Sequence, residues 1–147
     1  MASEQPAFSV TIPSHLAHVS CARTFVVAVC KSHGIDDTTT EAMALAVHEA
    51  ITNIIRHGHC HQYDKPIQVS CHPHPDRMEI HILDQAEPFD LKGVPNLDPA
   101  ELRVGGRGVY LMRALFDQVS CQPRLGGGND LRLVKFYPVK VPAPSSC

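Results

Sequence analysis

The chain predicts an α+β domain, a mostly antiparallel sheet with helices packed on one face. Three observations predict it. Two segments with helical apolar spacing come early, segments of strict alternation follow them, and a glycine-rich turn later opens a third apolar helix. Helices and strands are not interleaved one by one, so the order is not the β-α-β alternation of a parallel sheet.

Taken in order, Phe8, Val10 and Ile12 alternate with polar residues and form a first strand that Pro13 ends. Ser14 is the expected N-cap of a helix reaching about Lys31, with Leu16, Val19, Arg23, Val26 and Cys30 on its stripe and Gly34 as its stop. Asp36 or Asp37 caps a second helix that buries Ala44, Val47, Ile51 and Ile54 and ends at Gly58. Residues 66–72 and 77–84 alternate on either side of the turn PHPDR and read as a β-hairpin. From Gln85 to Gly106 the chain is rich in Pro, Asp and Gly, about twenty residues, a length that inside a compact domain commonly belongs to a binding lid. Val109, Met112, Leu115 and Phe116 then mark a third helix, Val119 and Cys121 a short strand, GGGND a turn, and Leu131 to Tyr137 a last strand. A frayed tail is expected from about residue 138. All 147 residues form one domain in this reading.

Composition excludes several classes. A content of 44% hydrophobic and 19% charged residues is that of a globular protein. A formal net charge of -2 argues against direct nucleic-acid binding, and no apolar run is long enough to span a membrane. The N-terminus lacks the basic-then-apolar pattern of an export signal, so a cytoplasmic location is expected. The six cysteines show no C-x-x-C and read as free thiols. His57, His59, Cys60, His61, Cys71, His72 and His74 are nitrogen and sulfur donors that suit zinc, but their spacing matches no finger pattern.

Chemistry concentrates in two places. In HEAITNIIRHG, Glu49, Asn53 and His57 lie four apart, a polar row on one helix face. A carboxylate and an amide oxygen are hard donors that suit Mg²⁺, and the carboxylate can alternatively accept a proton from an attacking hydroxyl. A solvated helix face is the plain reading of that row taken alone. In VGGRGVYLMRALFD, glycines precede a helix whose free N–H groups and dipole favour an anion.

The segment AVHEAITNIIRHG resembles the N-box of the GHKL ATPases, most closely their anti-sigma-factor serine-kinase branch, the RsbW and SpoIIAB type. ILDQAEPFD is similar to that branch's D-x-G-x-P-F-D box, and GGRGVYLMRALFDQV to its glycine-rich box and following helix. The order and spacing of the three blocks match over nearly the whole chain. The resemblance implies a Bergerat-type two-layer sandwich and an ATP-dependent protein serine/threonine kinase that regulates an anti-sigma pathway. It implies Glu49 as general base, Asn53 on Mg²⁺ and Asp84 on the adenine amino group. The implied nucleotide-binding set is Asn53, His57, Asp84, Ala86, Gly105, Gly106, Arg107, Gly108, Val109 and Asn129, with Arg103 as the alternative to Arg107 for a positive charge near the phosphates. Partners implied are a sigma factor or similar target, an antagonist carrying the acceptor serine or threonine, and a second copy of the chain in a homodimer.

Two positions depart from the family pattern. Ala86 replaces the first glycine of the Asp84 box, which costs free energy if the backbone there needs a positive φ. Asn129 stands where threonine is frequent beside the adenine. A clamp that captures its partner with little or no phosphotransfer is the alternative function, and Glu49 is the residue that separates the two.

Overall fold

The computed structural model describes residues 7–91 and 107–138. Strands β1 (Phe8–Pro13), β2 (Pro66–Pro73), β3 (Arg77–Leu83), β4 (Gln118–Pro123) and β5 (Asn129–Phe136) form one sheet in the order β1-β2-β3-β5-β4. All four pairings are antiparallel. Helices α1 (Val19–Ser32), α2 (Asp37–Asn53) and α3 (Arg107–Leu115) complete the two layers. The expected α+β class and the hairpin across residues 73–77 are both present, and the sheet is antiparallel throughout.

Alternation places Val10 and Ile12, Val69 and Cys71, Ile80 and Ile82, and Leu131 and Leu133 on the same face, because directly paired residues share a side of the sheet. That face meets the helices. α2 is the central helix, packed between α1 and α3, and Met43, Ala46, Val47 and Ile51 are fully buried along it. Asp36 caps α2 by accepting the Thr39 N–H at 2.9 Å, as the sequence suggests.

The entry to α1 differs from the expectation. Leu16–His18 form a short 3-10 turn capped by His15, and the α-helix begins only at Val19. The buried stripe is Val19, Ala22, Val26, Val29 and Cys30, while Leu16 is 39% exposed. Ser14 is not a helix cap. It is fully buried, donates its hydroxyl hydrogen to the Lys65 carbonyl and contacts Nδ1 of His59. A side chain committed to those two partners cannot turn toward the helix N–H groups.

The end of α2 also differs. Past Asn53 the helix widens into a π-type turn over Ile54–Gly58, closed by the His59 N–H to the Ile54 carbonyl at 2.7 Å. The extra residue in this turn carries His59 into the interior, where it is 1% exposed. Cys60 and His61 then reverse the chain with positive φ of 48 and 59°.

The opposite face of the sheet is polar and centred on Glu79. Its carboxylate takes hydrogen bonds from Arg77 at 3.1 Å and from Arg132, with His74 and His81 within 3.6 and 3.8 Å of its other oxygen. Burial pushes this carboxyl up, but the two arginines outweigh it and hold it at about 2.

Candidate nucleotide site

A cavity of about 490 Å³ opens between α2, the exit of β3, the start of β5 and α3. That volume lies within the usual range for a small-molecule pocket. Its walls are mostly apolar: Ala50, Ile54, Val109, Met112 and Leu131 surround a few polar groups.

Asp84 follows the last residue of β3, and its exposure is 4%. Backbone pairing continues past the strand, with the Asp84 N–H donating to the Asn129 carbonyl at 3.0 Å. The carboxylate is used asymmetrically. Oδ1 accepts from Ala86 N–H at 2.8 Å, Asn129 Nδ2 at 3.0 Å and Asn129 N–H at 3.2 Å. Oδ2 has no hydrogen-bond partner among the described residues, although Asp84 lines the cavity. A carboxylate so fixed presents one acceptor to whatever enters. Arg124 braces the same residue from behind, donating to its carbonyl at 2.8 Å.

Gly128 lies against this carbonyl. A Cβ there would sit 2.0 Å from the Asp84 oxygen, and its φ is +96°. No other residue fits both conditions.

Asn129 is a brace rather than a free ligand. Its amide donates to Asp84 Oδ1 and to the Glu87 carbonyl at 2.9 Å, and its oxygen accepts the Phe89 N–H at 3.0 Å. At 3% exposure it holds residues 87–89 over the cavity and shapes the wall without offering a spare hydrogen to a ligand. Ala86 is likewise free of the expected strain. Its φ is not positive, and its methyl lies 3.0 Å from where a Cβ on Gly58 would sit. The glycine at position 58 admits the methyl at position 86.

Asn53, half-buried, and His57, exposed, both line the cavity, so the polar row stays on one side despite the π-type turn. Neither side chain has a hydrogen bond among the described residues. Glu49 is half-buried one turn earlier and is not part of the wall. Val109, in the first turn of α3, lines the cavity, which brings the start of that helix to its edge. Arg107 and Gly108 open α3, while Arg103, Gly105 and Gly106 lie outside the described residues.

Sequence reasoning missed Ala50, Met112 and Leu131 as walls, reading Met112 only as a helix face and Leu131 only as the start of a strand, and it read His59 only as a zinc-type donor. His59 Nε2 accepts the Gln85 N–H at 2.9 Å while Nδ1 meets Ser14. Burial pushes this imidazole below the ordinary histidine range, against the pull of the Asp84 carboxylate. The proposed zinc donors are dispersed. Cys71 is buried in the core with its thiol pushed up to about 12 by burial, and no group of three His, Cys, Asp or Glu side chains arranged for a metal occurs among the described residues. The five described cysteines are free thiols.

Residues 12–135 match the model of the histidine kinase-like ATPase domain. The chain belongs to that family. Among the curated relatives of this histidine kinase-like ATPase, the serine-protein kinase RsbW of Oceanobacillus iheyensis is 30% identical over 123 residues, covering 78% of each chain. The serine-protein kinase RsbW of Listeria innocua is 28% identical over 127 residues, 81% of each. Its fold is shared with the structure of the SiaB-SiaC complex from Pseudomonas aeruginosa (TM-score 0.66, 14% identity, 86% of this chain and 88% of that one). It is shared also with the RsbU and RsbW domains of Rv1364c from Mycobacterium tuberculosis (TM-score 0.65, 15% identity), where the match covers 91% of this chain and 34% of that chain. No helix among the described residues is long and apolar enough to cross a membrane.

Proposed function

We propose that this histidine kinase-like ATPase is an ATP-dependent protein serine/threonine kinase of an anti-sigma type pathway, phosphorylating an antagonist protein and holding Mg·ATP in the cavity between α2 and β5. The observation that carries the nucleotide reading is Asp84: a buried carboxylate with Oδ1 saturated and no partner for Oδ2 among the described residues, at an apolar cavity, suits a flat base bearing one N–H donor.

In this reading the roles follow the geometry. Asp84 Oδ2 accepts the adenine amino hydrogen, and Ile54, Met112 and Leu131 enclose the ring. The Asn53 amide, with no hydrogen bond among the described residues, would hold Mg²⁺ through its oxygen, a hard donor of the kind magnesium takes. That ion, when bound, would neutralise charge on the phosphates. The first turn of α3 supplies N–H groups to the phosphates, and the reading assigns Arg107 and Gly108, with Gly105 and Gly106 outside the described residues, to the same role. His57 adds a polar edge. A serine or threonine oxygen of the acceptor attacks the γ-phosphorus in line as the bond to ADP breaks, and Glu49 takes the hydroxyl proton. A sigma factor as the regulated target, a homodimer and a cytoplasmic location complete the reading.

Glu49 stands outside the cavity wall, and this one observation favours the capture reading, in which the chain holds its target without phosphotransfer. Titration of Mg·ATP into the protein and its Asn53→Ala variant tests the site; no binding by the wild type at millimolar ATP refutes it. Phosphate transfer from labelled ATP to the antagonist, compared with Glu49→Ala, tests the chemistry. Loss of transfer with partner binding intact is expected for a kinase, and equal transfer by both forms rules out the base.

A further inference from the structure

Behind the cavity, His59 joins four separate parts of the fold. It sits just after the π-type turn that ends α2. Its Nε2 accepts from Gln85, the residue after Asp84, and its Nδ1 reaches Ser14 at the exit of β1. Ser14 in turn donates to Lys65, just before β2. The proton positions follow from the partners. A backbone N–H can only donate, so Nε2 carries no hydrogen; the Ser14 hydrogen is committed to a carbonyl, so Nδ1 carries one and donates it. The imidazole is therefore neutral and every polar atom in the chain of contacts is satisfied.

We infer that His59 is a positioning residue for the nucleotide: its unprotonated Nε2 holds the Gln85 N–H and thereby aims the Asp84 carboxylate into the cavity, and proton uptake at Nε2 releases that hold. The inference rests on the nucleotide reading of the cavity. A second proton on the ring would set N–H against N–H at the Gln85 contact and leave a charge in a site that is 1% exposed. Asp84 is the nearest beneficiary, since the Ala86 N–H that pins Oδ1 belongs to the same turn.

The charged groups that face His59 are Asp84 at the β3 exit and Asp64 and Lys65 before β2; the β1 exit contributes the Ser14 hydroxyl. The carboxylates favour protonation, while burial and Lys65 oppose it, and burial is the largest effect. The neutral form thus persists below the ordinary histidine value of about 6.5. Nucleotide affinity is full above that pH and falls as pH drops through the lower folded-state value.

The test is calorimetric titration of Mg·ADP at pH 7.5 and 5.0 into wild type, His59→Gln and His59→Leu. Glutamine places an uncharged oxygen where Nε2 stands and shares every other pH-dependent contribution with the wild type. Wild-type affinity should fall between pH 7.5 and 5.0 by more than that of His59→Gln, the excess following the fraction of His59 rings that have taken up a second proton. His59→Leu should bind at least about tenfold more weakly at pH 7.5, and His59→Gln should recover most of that difference. Equal pH dependence of wild type and His59→Gln overturns the inference, and that comparison stands even if the leucine variant fails to fold. Nitrogen-15 spectra of the His59 ring supply a readout independent of nucleotide: a proton on Nδ1 at neutral pH is expected, and one on Nε2 overturns the inference. If the spectra show the Nδ1 proton but wild type binds no nucleotide at pH 7.5, the nucleotide reading itself is what fails, and the positioning role falls with it.

Discussion

Replacing Asp84 with Asn alters one atom that faces the cavity and spares the protein's own contacts to this side chain. Oδ1 of the new amide can keep the N–H groups of Ala86 and Asn129 and the Asn129 Nδ2, at the 2.8 to 3.2 Å now seen. The atom replacing Oδ2 becomes a donor, and it then confronts the adenine amino group with hydrogen against hydrogen. A hydrogen bond to a charged acceptor is worth about 1.5–3 kcal/mol, so ATP affinity should fall by a factor of about ten to a hundred and fifty. The same geometry predicts base selectivity. Guanine presents a carbonyl oxygen where adenine presents its amino group, so wild type should reject GTP and Asp84→Asn should narrow the gap. Calorimetry with both nucleotides at pH 7.5 measures this, with thermal melting as the control for folding. Equal ATP binding by the two forms, with no change in the ATP-to-GTP ratio, would refute the role assigned to Oδ2.

Two stability predictions accompany it. Gly128→Ala should lower stability by about 3 kcal/mol, because a Cβ would stand 2.0 Å from the Asp84 carbonyl at a φ of +96°; an unchanged urea midpoint would contradict the contact. Glu79→Gln should cost up to about 3 kcal/mol near neutral pH, since the folded carboxyl is held at about 2 against an ordinary 4.5. That contribution is complete above about pH 4.5 and is lost as pH falls through about 2, so the two proteins should converge in stability at the acid end of a urea series.

The hairpin of β2 and β3, the Asp36 cap and the α3 stripe were legible in the sequence because each rests on local spacing, alternation or a side chain bonding three residues away. Asn53 and His57 were legible as part of a polar row on one helix face, and Asp84 through a box that resembles the family's. What could not be read locally is long-range. The pairing of β3 with β5, which sets Asn129 beside Asp84, joins segments some fifty residues apart and leaves no mark on either. Ser14 has the chemistry of a helix cap, and only the arrival of His59 and Lys65 diverts it. His59 was legible only as one of several zinc-type donors, because nothing in the local pattern marks the π-type turn that swings it inward. Asn129 was legible as a hydrogen-bonding residue, but not that its amide is consumed by Asp84, Glu87 and Phe89.

The contact between Gly58 and Ala86 ties two positions that a reader of sequences would treat as unrelated. A Cβ at 58 would lie 3.0 Å from the methyl at 86, closer than two methyl groups ordinarily sit. The two sites are therefore coupled through descent: a side chain gained at 58 crowds the methyl at 86 unless the two segments part by a few tenths of an ångström. The glycine missing from the Asp84 box then has a counterpart at the end of α2, and double substitution Gly58→Ala with Ala86→Gly should be better tolerated than Gly58→Ala alone.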